Sequence, residues 1–288
     1  MEKLRHGLNC LWASEIADQF YCEYKVDLKQ LHPEVQIDTP ALELGEASHA
    51  ALMSHAEPVT PAEIEQSVRA GKKLAICEWA LEGHFHGVPI RGRPDFFAFE
   101  GKNALLLLDF KFSAAKKPFR DHEVQAETYA LLTQCMEFST EQLCLGIVLL
   151  PPASLGSSLR DATLAKMGML QSFNEDGTLR QIAEQCEQAR KGLLTGGTKR
   201  TTIEADRWKA FLFCHDPNKA ASDLTWALEY WRSEREPLPV SQLPWDRWPR
   251  KCSACPFNAV GLCEHALQQP DPSFEVQRCA DGRVFVYR

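Results

Sequence analysis

The stretch GRPDFFAFEGKNALLLLDFKFS, residues 92–113, decides how this chain folds. Ala104 to Leu108 are five apolar residues in a row, the pattern of a strand covered on both faces. The run ends in Asp109-Phe110-Lys111, and Asp95 stands in a second strand-like stretch just upstream. A carboxylate or an ammonium at the end of a core strand is expensive to desolvate unless something pairs with it. Two strands joined at Gly101-Lys102-Asn103 form a hairpin, and neighbouring strands lie about 4.8 Å apart. Both acids can therefore reach one hard cation, for which carboxylate, carbonyl and water oxygens are the preferred ligands. Asp109 and Lys111 are two apart on a strand and face the same side, which sets the lysine beside a metal-bound water. There it can orient that water or stabilise charge on a phosphate. Taken alone, so common a tripeptide reads more readily as a structural Asp109–Lys111 salt bridge, with Asp95 capping a turn.

Outward from the hairpin, the periodicity predicts a mixed α/β chain. Ser14 to about Tyr21 reads as a short helix with a serine cap, and Thr39-Pro40 as the start of another. Thr60-Pro61-Ala62-Glu63 is a capping box opening a helix. Residues 74–87, 87–101 and 102–112 read as three strands turning at Gly87 and at Gly101. Helical spacing returns over 118–135, and 143–151 is a fourth buried strand. The segment 151–178 has the composition of a loop, and two helical stretches follow at about 178–194 and 206–235. A Pro/Trp-rich linker (237–250) leads to a cysteine cluster and to a hairpin turning at Asp281-Gly282. No GxxxxGK[ST] loop occurs, so no P-loop motor is built in.

Further residues cluster around the acids in sequence. Gly45 and His49 share one helix face at i, i+4, as do Gln125 and Tyr129 on the helix after the DxK strand. Arg91, Arg93, Lys116, Lys117 and Arg120 form a local basic surplus that suits phosphate contacts, within a chain whose net charge is −7. That net charge argues against a passive nucleic-acid coat, but not against an enzyme with a basic groove.

The order of these motifs resembles the PD-(D/E)XK nuclease superfamily, in its RecB-like exonuclease branch. Pro94-Asp95, thirteen residues, then Asp109-Phe110-Lys111 matches the name motif literally. His49, Gly92-Arg-Pro-Asp95 and Gln125-Ala-Glu-Thr-Tyr129 match the branch's histidine, GxxD and QxxxY. The resemblance implies a restriction-endonuclease-like mixed sheet flanked by helices. It implies that His49, Asp95, Asp109 and the Phe110 carbonyl hold Mg²⁺ or Mn²⁺, with Lys111 as the catalytic lysine. Gln125 and Tyr129 would support the site and the DNA strand.

Eleven cysteines form no intended disulfide framework in a chain read as cytosolic, with no signal-peptide core and no membrane-length apolar run. Cys77, Cys135, Cys144 and Cys186 read as small buried hydrophobes. Cys252, Cys255 and Cys263 are spaced to grip one soft metal site. His265 completes a local zinc site of three cysteines and a histidine; a distant cysteine completes a four-thiolate iron–sulfur cluster instead. Within the RecB-like branch, AddB-type and CRISPR-associated nucleases are similar in layout, with one cysteine before the nuclease motifs and three after. That resemblance implies a 4Fe–4S cluster on Cys22, Cys252, Cys255 and Cys263, with Cys10 in reserve for Cys22 and zinc as the runner-up metal. The clasp would close a loop of about 230 residues and hold the chain ends together.

The expectation is a single nuclease domain over 1–288, with a core at about 40–150, a helical region at about 178–235 and the cysteine segment 250–266 joined to Cys22. Its activity is that of a metal-dependent DNA exonuclease acting on single strands or ends, with DNA and a DNA-processing complex as partners and no membrane. The rival is a catalytically silent DNA-binding or scaffolding module of the same fold. Trp245 and Trp248, near Arg247, Arg250 and Lys251, either stack bases or pack the C-terminal cluster.

Overall fold

The computed structural model describes residues 3–38, 59–112, 115–150, 177–245 and 250–287. The apolar run is a central strand, β7 (Asn103–Phe112), within a six-stranded mixed sheet. The sheet also holds β3 (Lys73–Cys77), β6 (Phe96–Glu100), β8 (Cys144–Leu150), β9 (Arg200–Glu204) and β10 (Lys209–Cys214), in the order β3-β6-β7-β8-β10-β9. β7 is antiparallel to β6 and parallel to β8. β8 is buried along its whole length, as expected of a strand with helices on both sides. A bulge at Ala98/Phe99 sets Phe99 opposite Ala104 and Ala98 opposite Leu106, so Leu105 is the extra residue. Downstream of it Leu106, Leu108 and Phe110 face one core while Leu107 faces the other. Asp109 and Lys111 share the Leu107 side.

That side is covered by α1 (Ala13–Tyr21), by α4 (Arg120–Cys135) and by α6 (Pro217–Trp231). The opposite face is covered by α5 (Thr178–Gly196), which buries Ile182, Cys186 and Leu193 at helical spacing. A small sheet of β1 (Leu11–Trp12), β5 (Val88–Gly92) and β4 (Leu81–Phe85) lies against α4. Two glycines permit that approach. A Cβ on Gly83 would stand 2.6 Å from the Cys135 Cβ, and one on Gly92 would stand 2.6 Å from the Tyr129 ring.

The capping box holds: Glu63 N–H donates to Thr60 Oγ1 and Thr60 N–H to the Glu63 carboxylate (3.3 and 2.7 Å), opening α3 (Pro61–Arg69). Four expectations change. Of the cysteines read as buried, Cys144 and Cys186 are, whereas Cys77 is half-buried and Cys135 is exposed. Ser14 does not cap α1; Trp12 precedes the helix, and its N–H donates to Glu15 at 2.8 Å. Residues 74–101 make four strands in two sheets instead of two long ones, because the chain breaks at Glu78 (φ 51) and again at Arg93-Pro94. The stretch 206–235 is a strand before it is a helix: β10 pairs with β8, and α6 starts only at Pro217, capped by Asp216. Thr39-Pro40 and 151–176 lie outside the described residues.

The chain ends meet. β12 (Val284–Tyr287) pairs with β11 (Glu275–Arg278) and, in parallel, with β2 (Val35–Asp38). The expected hairpin turn at Asp281-Gly282 is present, with Cys279 N–H bonded to the Arg283 carbonyl. Fully buried Glu23, the first residue of α2 (Glu23–Leu31), takes two bonds from Arg235 at 2.6 and 2.7 Å, one from Leu238 N–H and one from Gln19. Trp245 stacks on Phe20 at 4.5 Å and donates its indole N–H to the Phe20 carbonyl, so it packs the termini together. Trp248 and Arg247 lie outside the described residues. No described helix is long and apolar enough to cross a membrane.

Candidate active site

β6 stops at Phe96, opposite Leu108, while β7 runs four residues further with only β8 beside it. A cleft opens in the notch this leaves. Asp95 and Asp109 face each other across its floor, 7% and 2% exposed. Asp95 Oδ2 accepts the Phe110 N–H at 2.6 Å, taking the place of the missing strand partner. The N–H and C=O of one strand residue point to the same edge, so the Phe110 carbonyl faces the notch as well. Two buried carboxylates and a carbonyl edge make an all-oxygen donor set beside a cavity, which suits Mg²⁺ or Mn²⁺. His49, the remaining expected ligand, lies outside the described residues.

Lys111 Nζ stands 2.9 Å from Asp109 Oδ2 and donates to Gln125 Oε1 at 2.8 Å. Burial disfavours its ammonium, yet the Asp109 carboxylate outweighs that and leaves the lysine more basic than usual. Gln125 Nε2 in turn donates to the Tyr129 hydroxyl at 2.7 Å. Burial, followed by the charge of Asp109, pushes the Tyr129 phenol well up, so it stays protonated. The Tyr129 ring lies where a Gly92 side chain would be, so the GxxD and QxxxY motifs meet in one contact. Position i, i+4 on α4 aims Gln125 and Tyr129 together at the lysine.

The cleft has a further wall at Trp12, Ala13 and Ser14, where α1 begins. The sequence marked none of the three for function. Trp12 carries the one usable signal, an aromatic 45% exposed at a helix start. Among the basic candidates, Arg93 lines the cleft and is exposed. Lys116 and Lys117 are exposed just before α4. Arg91 pairs with Glu82 on the surface at 3.2 Å. Arg120 is bound to Asp223 and Glu123 and lies over the Phe20 ring, tying α4 to α6 and α1.

Cys22, Cys252, Cys255 and Cys263 line one small apolar pocket with Leu28 and Val240. Cys22 lies between α1 and α2; the others flank two single-turn helices, α7 (Arg250–Ser253) and α8 (Pro256–Ala259). Burial, then the neighbouring thiols, pushes Cys22 up to about 12. Burial raises Cys263 as well, and backbone N–H groups of Lys25 and His265 at the sulfurs of Cys22 and Cys263 offset part of the rise at each. Cys10 belongs elsewhere, bonded to the Leu11 carbonyl near Arg91. His265 packs edge-on against Tyr24 at 4.2 Å and does not line the thiol pocket. Among the described residues, no three His, Cys, Asp or Glu side chains form a ready single-ion site.

No protein-family model matches this chain, and no curated protein is similar to it in sequence. A solved structure described as "Crystal structure of SSO0001" aligns over 90% of this chain and 88% of that one, at 14% identity and a TM-score of 0.43.

Proposed function

We propose that this chain is a divalent-metal-dependent DNA exonuclease of restriction-endonuclease-like fold, acting on single strands or ends, with a structural 4Fe–4S cluster. One observation carries the reading: Asp95, Asp109 and the Phe110 carbonyl edge converge where Lys111 is held by Gln125 and Tyr129. Asp95, Asp109 and the Phe110 carbonyl would hold the cation. Bound there, a divalent ion supplies Lewis-acid stabilisation of the phosphate and a more acidic water. Asp95 and Asp109 fix the donor geometry from the ends of paired strands. Lys111 presents a fixed positive charge to the phosphate oxygens as negative charge builds on them, at no reorganisation cost because Asp109 and Gln125 already hold it. Tyr129, neutral and buried, keeps the Gln125 amide in register. Arg93, with Lys116 and Lys117, offers charge to the strand outside the cleft.

Cys22, Cys252, Cys255 and Cys263, which line one pocket, would hold the cluster with one thiolate each. A bound metal would compensate the buried thiolate charge that now keeps Cys22 protonated. Zinc on Cys252, Cys255, Cys263 and His265 would require the His265 ring to leave Tyr24.

The deciding assay uses end-labelled single- and double-stranded DNA with Mg²⁺ or Mn²⁺ and an EDTA control. Metal-dependent shortening from an end is expected. Cleavage that persists in EDTA overturns the metal mechanism, and binding without cleavage in any metal returns the silent-module reading. Protein purified without oxygen is expected to be brown, absorbing near ~400 nm; a colourless protein carrying one zinc replaces the cluster.

A further inference from the structure

A second cavity, of about 440 Å³, lies at the far end of the α1–α4 helix pair from the cleft. The two helices run antiparallel. The start of α1, Trp12 to Ser14, shares the cleft with Gln125 and Tyr129, and its last residue, Tyr21, shares the second cavity with Phe119 at the start of α4. At 1.5 Å per residue, Ala13 to Tyr21 spans roughly 12 Å, and Phe119 to Gln125 roughly 9 Å. The two cavities are therefore a few nucleotides of strand apart. Asp121, in the first turn of α4, feels the charges of both Lys251 and Lys111.

The lining is a matched set. Tyr21 and Phe119 supply aromatic surface, and Arg250 and Lys251 supply positive charge. Lys251 donates to the Tyr21 carbonyl at 3.2 Å and its ammonium sits 4.8 Å from the Tyr21 ring centroid, so the cation is fixed against the aromatic wall. Arg250 is exposed beside it. The lining also holds one acid, Asp271, whose Oδ1 accepts from the N–H and hydroxyl of Ser273 at 2.9 and 2.8 Å. Aromatic faces interleaved with cations are what a single strand needs: bases stack and phosphates are neutralised. The size is that of a small-molecule site.

We infer that this cavity is a second nucleotide subsite on the substrate strand, with a base against Tyr21 and Phe119 and its phosphate on Arg250 and Lys251. The inference rests on the nuclease reading and extends it to where the strand runs: from the metal site, along α1 and α4, to the segment that carries Cys252. An occupied subsite holds the strand in register while the terminal phosphodiester sits on Lys111.

The test measures anisotropy of a fluorescein-labelled oligothymidylate on the whole chain, in EDTA and at several salt concentrations. Cleavage of the same oligonucleotide is followed in Mn²⁺. Arg250→Ala is expected to weaken binding and to reduce the slope of log affinity against log salt by about 0.7, one phosphate contact. Phe119→Leu is expected to weaken binding by about tenfold or more at unchanged salt slope, with Phe119→Trp restoring it. Arg180→Ala, on α5 across the sheet, should bind as the unmodified chain does. Wild-type affinity and slope in both Arg250→Ala and Phe119→Leu overturn the subsite. Should Phe119→Leu melt early, Arg250→Ala at its exposed position decides alone. Cleavage by the unmodified chain with no effect of these variants overturns the subsite and leaves the nuclease standing. Weakened binding in the variants with no cleavage by the unmodified chain keeps the subsite and overturns the nuclease reading.

Discussion

A methyl group at residue 92 has no room, because the Tyr129 ring lies 2.6 Å from where it would be. Gly92→Ala must displace the tyrosine, and with it the Gln125 amide that holds Lys111. Overpacking of this kind costs about 1–3 kcal/mol. We expect a lowered urea midpoint and a cleavage rate that falls further than the stability loss explains, read on end-labelled DNA. Asp109→Ala and Lys111→Ala are expected to abolish cleavage while the protein still binds oligonucleotide; full activity in both would remove the catalytic assignment. Asp95, Asp109 and Lys111 were legible because two acids and a lysine at the ends of apolar strands are costly to bury unless something pairs with them. The residues that position them were less so. Gly92 was visible as part of a motif, but its pairing with Tyr129 depends on β5 lying against α4, which no local pattern states. The place of Trp12 at the cleft and the tie from Arg120 to Asp223 were hidden for the same reason, since both depend on distant packing.

Among the elements, α4 carries a pH response. Burial, with the charge of Lys111 next, pulls His122 down to about 3 from the usual 6.5. Its neutral ring accepts the Phe119 N–H at 3.4 Å at the helix start. Between those two values the unfolded chain binds a proton that the folded chain refuses, so stability falls as pH drops below 6.5. Asp121 beside it is raised by burial and works in the opposite sense. Glutamine at 122 can make the same cap without titrating, and both proteins keep Asp121. From pH 7.5 to 5, the unfolding free energy read in urea should fall by about 1–2 kcal/mol more for the unmodified chain than for His122→Gln; equal losses would show that His122 is not held neutral. Elements with complete local signals were read correctly, as with the capping box at Thr60 and the unbroken apolar β8. β10 was lost because KAFLFC is short and precedes a real helix, though Asp216-Pro217 marked where that helix starts. The break at Glu78 left no trace, since glutamate is not a turn former.

Across the whole molecule, the two ends are fastened at several independent points: Glu23 to Arg235, Phe20 to Trp245, β2 to β12 and the four-thiol pocket. Cys22→Ser should lower the melting temperature of metal-loaded protein far more than Cys186→Ser, which changes a residue buried under α5 alone. After iron chelation the gap should close, because the serine then replaces only a thiol; equal effects before chelation would argue against the clasp. The sequence carried the cysteine spacing but not the sheet that joins the termini, since a parallel pairing between residues 35–38 and 284–287 has no local signature. That pairing has a consequence for synthesis. Translation proceeds at about 5–20 residues per second, from the N-terminus. The wall of the cleft at Trp12 to Ser14 is therefore made well before Arg235 and Trp245, the side chains that brace the far end of its helix. Until those residues emerge from the ribosome, the growing chain carries Asp95, Asp109 and Lys111 without the contacts that seat α1.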